Sequence, residues 1–138
     1  AAIGYVQLQK LPKLLEARRR NAELLTARLE RIGRLALPQE PSGYRHAWYV
    51  YTVRLRGGRA GERNRVVAKL NSAGIQAAIY YETPLHLLPV YRRLYGYHTK
   101  MLPNAEAAAR QVFSLPVHQG LSEGDIEYMC EKLRRILS

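Results

Sequence analysis

The hydrophobic positions at the start of the chain repeat with the period of a helix. Between residues 11 and 32 apolar side chains recur every three or four positions, which predicts an amphipathic helix from Leu11 to Ile32 as the longest of the chain. Its apolar face consists of Leu11, Leu14, Leu15, Ala22, Leu25, Leu29 and Ile32. Pro12 is expected to kink this helix or to begin a second one. The opening run AAIGYVQLQKL is itself apolar and helix-like without a capping residue before it, so we expect a helix cut in its middle.

Two strand-like runs follow in the middle of the chain, with a helix between them. HAWYVYTVRLR has apolar groups on both alternating faces, which predicts a central strand from Ala47 to Arg54 that is covered on both sides. Before it, ALPQEPSGY is a connector with at most a short strand. GGRAGERNRVVAKLNSAG predicts a turn and a helix that ends at Gly74, and IQAAIYY, residues 75–81, predicts the next strand. The inward positions of that helix are Val66, Val67 and Leu70.

The last third of the chain predicts two more helices and one more strand. NAEAAARQVFSLPVH is typical of a helix capped by Asn104 and a short strand around Phe113 to Val117. The final helix begins at a pair that resembles a capping box, Ser122 and Asp125. Its buried stripe is Ile126, Met129, Cys130, Leu133, Ile136 and Leu137. This order predicts an α+β fold, a single domain over residues 1–138 in which a small sheet of about three strands, mainly antiparallel, packs with helices.

Charge indicates an anionic partner. The chain has 22 Lys and Arg against 11 Asp and Glu, a formal net charge of +11. Nucleic acid, an acidic membrane surface, a phosphorylated small molecule or an acidic partner domain would fit that balance. No apolar run approaches the roughly 18 residues of a membrane span. No membrane partner is expected. Cys130 is the single cysteine and lies among apolar residues, which excludes an intramolecular disulfide and favours a buried thiol in a cytoplasmic protein.

The sequence lacks the motifs of several kinds of functional site. The glycines of RLRGGRAGER lack the spacing of a phosphate-binding loop, and no serine stands in a nucleophile elbow. The four histidines lack metal-ligand spacing, so no metal site is expected. Ten tyrosines on a basic chain would suit stacking on RNA or single-stranded DNA, although no recognised nucleic-acid module is present.

The stretch GIQAAIYYETPLHLLPVY places Tyr80, Tyr81 and His86 directly after an apolar run. Residues at the boundary of a strand and a loop often belong to functional sites. The alternative is ordinary packing, in which Tyr80 lies under the sheet, Tyr81 covers the edge of the core and His86 caps a turn. Sequence pattern alone leaves both interpretations open.

Four stretches of the chain, in this order, resemble the C-terminal part of the DegT/DnrJ/StrS sugar aminotransferases. They are AAIGYVQLQKL…RRRNAELLTARL, HAWYVYTVRL, LNSAGIQAAIYYETPLHLLPVY and LPNAEAAARQVFSLPVHQGLSEGDIEYMCEKLRRIL. The most specific features are the AAIG…QL opening, the AGI strand that leads to Y…PLH…PVY, and the PNAE…SLP.H.GL close. The resemblance covers nearly the whole chain.

The resemblance implies the C-terminal small domain of the aspartate aminotransferase fold, type I. Enzymes of this family use pyridoxal 5'-phosphate to move an amino group, usually from glutamate, onto a keto sugar carried on a nucleotide, in polysaccharide or amino-sugar biosynthesis. The resemblance also implies a homodimer, and it places the Schiff-base lysine and the residues that hold the cofactor in a large domain upstream of Ala1. No catalytic and no cofactor-binding residue is therefore expected in this chain, and the chain alone is expected to be inactive.

The resemblance assigns a role to the tyrosine pair and the histidine. In the family, the strand after GI commonly ends in His-Tyr or His-Phe, and a histidine that faces the sugar nucleotide follows. Tyr81 and His86 match the last two positions, whereas Tyr80 stands where histidine is common and cannot carry a positive charge at neutral pH. Tyr80, Tyr81 and His86 are therefore implied as substrate-binding residues. A relative that lost catalysis and serves dimerisation or regulation stays open, because a fold does not fix a function.

Overall fold

The computed structural model describes residues 1–138, which form five α-helices, three strands and one 3₁₀ turn. In chain order these are α1 (Ala2–Leu29), β1 (Leu35–Ala36), β2 (Tyr51–Leu55), α2 (Ala60–Ser72), the 3₁₀ turn (Leu85–Leu87), α3 (Pro89–Tyr95), α4 (Pro103–Gln111), β3 (Val112–Leu115) and α5 (Glu123–Leu137). The strands form one antiparallel sheet in the order β1-β2-β3, and the helices pack on it. The predicted α+β fold with about three antiparallel strands is confirmed.

β2 lies in the centre of the sheet, as predicted, but only one of its faces is covered. The buried residues of the inner face are Tyr51, Val53 and Leu55. On the outer face Arg54 is exposed and Thr52 is half-buried. The hydroxyl of Thr52 pairs with that of Ser114 on β3, 2.8 Å away. The expectation that both faces are covered is therefore wrong, and the outer face remains open.

β2 also begins later than predicted, at Tyr51 instead of Ala47. Trp48 has a φ of 48°, which is incompatible with an extended strand. The backbone groups before β2 bond to side chains, because the N–H of Trp48 donates to Nδ1 of His46 at 2.8 Å and its carbonyl accepts from Arg18 at 3.2 Å. A backbone N–H donates only one hydrogen, so Trp48 cannot also donate to the sheet ladder.

Residues 75–81 form no strand, contrary to the prediction. A single antiparallel bridge joins Ala78 to Ser114, through N–H···O bonds of 3.0 and 2.7 Å. Extending the pairing in one direction would need an N–H from Pro116, which has none. Extending it in the other would need Val112, whose N–H bonds back into α4 and whose carbonyl accepts from a guanidinium of α2. The segment therefore leaves the sheet after one residue pair.

α1 is the longest helix, as predicted, but it begins at Ala2 and continues through Pro12, so no second helix starts there. Its buried residues all lie in the second half: Asn21, Ala22, Leu25 and Leu29. The first half is solvent-facing, with Ile3 81% and Leu8 64% exposed. Neither α1 nor any shorter helix combines the length and the apolar character that crossing a bilayer requires.

α5 packs against α1 and α2 and completes the core. The capping box is confirmed, because the Ser122 hydroxyl accepts the N–H of Asp125 at 3.1 Å and the Asp125 carboxylate accepts the N–H of Ser122 at 2.8 Å. The buried residues of α5 are Ile126, Met129, Cys130, Leu133 and Leu137. Asn104 is not the N-cap of α4, because Leu102 has that position and Pro103 is the first helical residue.

Candidate functional site: two cavities that share a tyrosine pair

The end of α2 directs the chain towards the tyrosine pair. Gly74 has a φ of 79°, a conformation that glycine adopts without strain. Its N–H donates to the carbonyl of Asn71, and the N–H of Ile75 donates to the carbonyl of Leu70, each at 3.0 Å. These two bonds make a Schellman motif, which turns the chain sharply at the end of a helix. The chain then makes its one bridge to β3 and continues into residues 80 and 81.

Tyr80 and Tyr81 project into solvent, with 54% and 76% of their surface exposed. Their rings lie 5.8 Å apart and meet edge to face at 68°. The packing interpretation, with Tyr80 under the sheet and Tyr81 over the core, therefore does not hold. The pair instead lines two cavities, one on each side.

The first cavity, here termed the histidine cavity, lies between the 3₁₀ turn and α4 and has a volume of about 670 Å³. That volume is within the range of small-molecule sites. Most of its lining is apolar, and the lining residues are Tyr80, Tyr81, Thr83, Pro84, Leu85, His86, Leu88, Leu102, Ala105, Ala108, Ala109 and Val112. The structure thus brings all three sequence-predicted site residues, Tyr80, Tyr81 and His86, to one cavity.

The second cavity, here termed the sheet cavity, lies on the open outer face of the sheet and has a volume of about 580 Å³. Its polar lining residues are Arg18, Tyr49, Thr52, Gln76, Tyr80, Tyr81, Ser114 and His118. Arg18 is the only lysine or arginine among them. Its Nη1 donates to the carbonyls of Trp48 and Tyr49 at 3.2 and 3.0 Å, so the backbone before β2 fixes the guanidinium at the cavity wall.

His86 is buried, and it pairs with a residue that sequence reasoning missed. Its Nε2 lies 3.3 Å from Oε1 of Glu106 on α4, and each residue is only 7% exposed. The backbone N–H of Lys100 donates to the same carboxylate oxygen at 2.7 Å. Burial alone would raise the pKa of Glu106, but hydrogen bonds from His86 and from the N–H groups of Lys100 and Leu102 hold that pKa below its usual value.

A buried arginine fixes the helix that carries Glu106. The guanidinium of Arg63 on α2 donates to the carbonyls of Ala109 and Val112 at 3.0 and 2.7 Å, where α4 ends and β3 begins. Arg63 is 1% exposed, and this burial lowers the pKa of its guanidinium. A cation at a helix C-terminus is also favoured by the helix dipole. α4 is therefore held at its far end, and its first turns form one wall of the histidine cavity.

One compositional signal could have found Glu106. It is the only acidic residue between Glu82 and Glu123, in a region that is otherwise basic, aromatic or apolar. A lone carboxylate in such a region is either a helix-start residue or the partner of a specific donor, and Glu106 is both. No group of three or more His, Cys, Asp or Glu side chains that could hold a metal ion occurs in the structure.

The comparison with protein families gives one match, which covers nearly the whole chain. Residues 1–134 match the family model described as the DegT/DnrJ/EryC1/StrS aminotransferase family.

Individual proteins show the same similarity along the chain. A pleiotropic regulatory protein of Geobacillus stearothermophilus is 38% identical over 135 residues, which are 96% of this chain and 35% of that protein. The GDP-perosamine synthase of Caulobacter vibrioides is 35% identical over 138 residues, 99% of this chain and 36% of the synthase. Spr1654 from Streptococcus pneumoniae, solved in a PLP form, superposes with a TM-score of 0.89 at 27% identity, over 97% of this chain and 34% of that one. The chain therefore spans about a third of the length of the relatives it matches.

Proposed function

This chain belongs to the DegT/DnrJ/EryC1/StrS aminotransferase family, and we propose that it is the C-terminal small domain of a pyridoxal-phosphate-dependent nucleotide-sugar aminotransferase. The whole enzyme moves an amino group from glutamate to a keto sugar carried on a nucleotide, for amino-sugar or surface-polysaccharide synthesis, as a homodimer in the cytoplasm. The similarity to a GDP-perosamine synthase supports a nucleotide-linked substrate, and the net charge of +11 suits its diphosphate.

The cofactor is held by residues outside this chain in the proposed enzyme. Pyridoxal phosphate needs a lysine amine at its reactive carbon, and none of the lysines here lines the histidine cavity or the sheet cavity. The lysines are Lys10, Lys13, Lys69, Lys100 and Lys132. The residues present therefore do not fit a covalent cofactor site, and we assign to them only substrate contacts.

The histidine cavity is the proposed contact with the sugar nucleotide. The observation that carries this assignment is that Tyr81 and His86, which match the family pattern, line one cavity of ligand size together with Tyr80, which stands where histidine is common in the family. The exposed phenol rings supply flat surfaces and hydroxyl groups, and the buried imidazole supplies a fixed polar atom in a mostly apolar wall. The role of His86 is positioning, not proton transfer to or from the cofactor.

The test is to measure the two half-reactions separately in the whole protein that contains this chain. Glutamate serves as the amino donor, and GDP- and dTDP-linked 4-keto-6-deoxy sugars serve as acceptors. Losing one hydrogen bond costs about 0.5–1.5 kcal/mol, and about 1.5–3 kcal/mol when one partner is charged. His86→Ala is therefore expected to lower kcat/KM for the sugar by a few-fold to about a hundredfold and to leave the glutamate half-reaction almost unchanged. Tyr81→Phe keeps the ring and is expected to have a smaller effect.

The matched control is His98→Ala, because His98 is exposed and lines neither cavity. It should change neither half-reaction. Equal losses in both half-reactions for His86→Ala, together with a lower melting temperature, would show that His86 is only a structural residue. Absence of transfer to any keto sugar by the unsubstituted protein would reject the enzymatic proposal.

A second candidate function is regulation by a relative without catalysis. It is favoured by the 38% identity to a pleiotropic regulatory protein. The same assay separates the two, because a regulatory relative would fold and keep its cavities but would not convert the keto sugar.

A further inference from the structure

The contact between His86 and Glu106 determines which imidazole nitrogen can meet a ligand. The two residues come from different elements, the 3₁₀ turn and the first turns of α4, and both are almost completely buried. A buried carboxylate is costly unless it is hydrogen-bonded, and Glu106 accepts from the N–H of Lys100 at 2.7 Å as well as facing Nε2 of His86 at 3.3 Å. His86 and Glu106 therefore form a buried, hydrogen-bonded pair in the cavity wall.

The carboxylate of Glu106 determines which nitrogen of His86 faces it with a proton. Burial alone would raise the pKa of Glu106, but its hydrogen bonds hold that pKa below its usual value, so the carboxylate is ionised at neutral pH and can only accept. A hydrogen bond between Glu106 and His86 then requires the proton on Nε2. In the neutral ring this leaves Nδ1 as an acceptor, since one nitrogen donates and the other accepts.

Nδ1 of His86 is free to meet a ligand. It makes no hydrogen bond within the chain. It also keeps some accessible surface, because Nε1 of Trp48 is the only fully buried side-chain nitrogen or oxygen without a hydrogen-bond partner. His86 lines the histidine cavity. The free nitrogen is therefore a hydrogen-bond acceptor at the wall that also carries the tyrosine pair.

We propose that Glu106 is a positioning residue that holds His86 in the Nε2–H tautomer, so that Nδ1 accepts a hydrogen bond from a hydroxyl group of the sugar and not from its phosphates. This proposal rests on the proposed function and narrows it. An ionised phosphate oxygen has no proton to donate, so it cannot pair with an acceptor nitrogen, whereas each sugar hydroxyl can. The diphosphate must then be held by cationic groups other than His86.

The experiment combines imidazole NMR with kinetics on the whole protein. In ¹⁵N-histidine-labelled protein, long-range proton–nitrogen correlations report which nitrogen of His86 is protonated, with His86→Gln used to assign the signals. The unsubstituted protein is expected to show one tautomer, Nε2–H. Glu106→Gln is expected to show a mixture of tautomers, because an amide can accept from Nε2–H or donate to a bare Nε2.

In the kinetic arm, Glu106→Gln is expected to lower kcat/KM for the keto sugar by about three- to tenfold, the loss of about one hydrogen bond, with the glutamate half-reaction unchanged. Glu106→Asp, which keeps the carboxylate, should recover part of the loss. The control is Glu131→Gln, a glutamate of α5 whose side chain is 45% exposed and pairs with Arg135, which should alter neither readout.

The two readouts separate the proposals. The same single tautomer in the unsubstituted and Glu106→Gln proteins would overturn the role of Glu106, whatever the kinetics. Unchanged sugar kinetics in Glu106→Gln, with normal amination by the unsubstituted protein, would overturn it as well. Failure of the unsubstituted protein to aminate any keto sugar would reject the proposed function and the hydroxyl contact with it. The NMR measurement would still show whether Glu106 selects the tautomer of His86.

Discussion

Arg63 is buried, and its guanidinium donates to the backbone carbonyls of Ala109 and Val112 instead of to a carboxylate. Arg63→Met keeps most of the apolar stem but removes both donors, and buried carbonyls without partners are costly. We expect the free energy of unfolding to fall by about 2–4 kcal/mol, measured by urea denaturation. Arg65→Met, at an exposed position of the same helix, should change it by no more than about 0.5 kcal/mol. Equal losses in the two variants would contradict a specific role of Arg63.

The contacts of single residues also explain why the site was only partly predictable. Tyr80, Tyr81 and His86 stood out because they share one short stretch that resembles a family pattern. Glu106 did not, because its importance comes from α4 folding back against a residue twenty positions earlier. Sequence periodicity carries no information on such a contact, and only the isolation of this carboxylate hinted at it.

At the scale of elements, the Schellman motif at the end of α2 gives a clear test. Gly74 has a φ of 79°, and a Cβ there would meet no atom within 4 Å, so any cost of Gly74→Ala comes from the backbone alone. We expect a loss of about 1–2 kcal/mol, the cost of left-handed backbone for an L-residue, measured as a lower melting temperature. Gly61→Ala, in the first turn of α2 with equally open space, should be neutral or stabilising by up to about 1 kcal/mol. A loss at Gly61 as large as at Gly74 would argue against the backbone explanation.

Elements with long, capped hydrophobic stripes were predictable, and short strands were not. α5 was found with its capping box because Ser122 and Asp125 act within one turn. Residues 75–81 looked equally strand-like, but pairing depends on the neighbouring strand, where Pro116 has no N–H and the N–H and carbonyl of Val112 are already bonded. β2 began late for a related reason, since the N–H of Trp48 bonds to the side chain of His46 and its φ of 48° is not that of a strand.

At the scale of the whole molecule, a buried phenol and a buried thiol make the free energy of unfolding depend on pH in the alkaline range. Burial raises the pKa of Tyr51 to about 12 and that of Cys130 to about 11. In the unfolded chain these values return to about 10 and about 8.5. Between the unfolded and folded values the unfolded state binds fewer protons, so the free energy of unfolding falls as pH rises. The contribution of Cys130 is fully present below about pH 8.5 and is lost as pH rises to about 11, and that of Tyr51 is fully present below about pH 10 and is lost as pH rises to about 12.

The measurement is urea denaturation from pH 7 to pH 10.5. The unsubstituted chain is expected to lose stability steadily above about pH 8.5, and Cys130→Ala should show a shallower decline between pH 8.5 and 10 because one of the two groups is removed. Parallel curves for the two proteins would show that Cys130 does not contribute.

α1 has one further consequence, which follows from its length and from where it is anchored. Its 28 residues span about 42 Å at 1.5 Å per residue, yet the residues from Ala2 to Lys13 are all exposed, and the first partly buried residue is Leu14. About 18 Å of helix therefore extends beyond the part that packs on the rest of the chain. A rotation of only about 10° at the packed end moves Ala2 by about 3 Å, simply from this geometry. Small adjustments in the packing of α1 against α5 are thus amplified severalfold at the far end, where Ile3 and Leu8 are exposed.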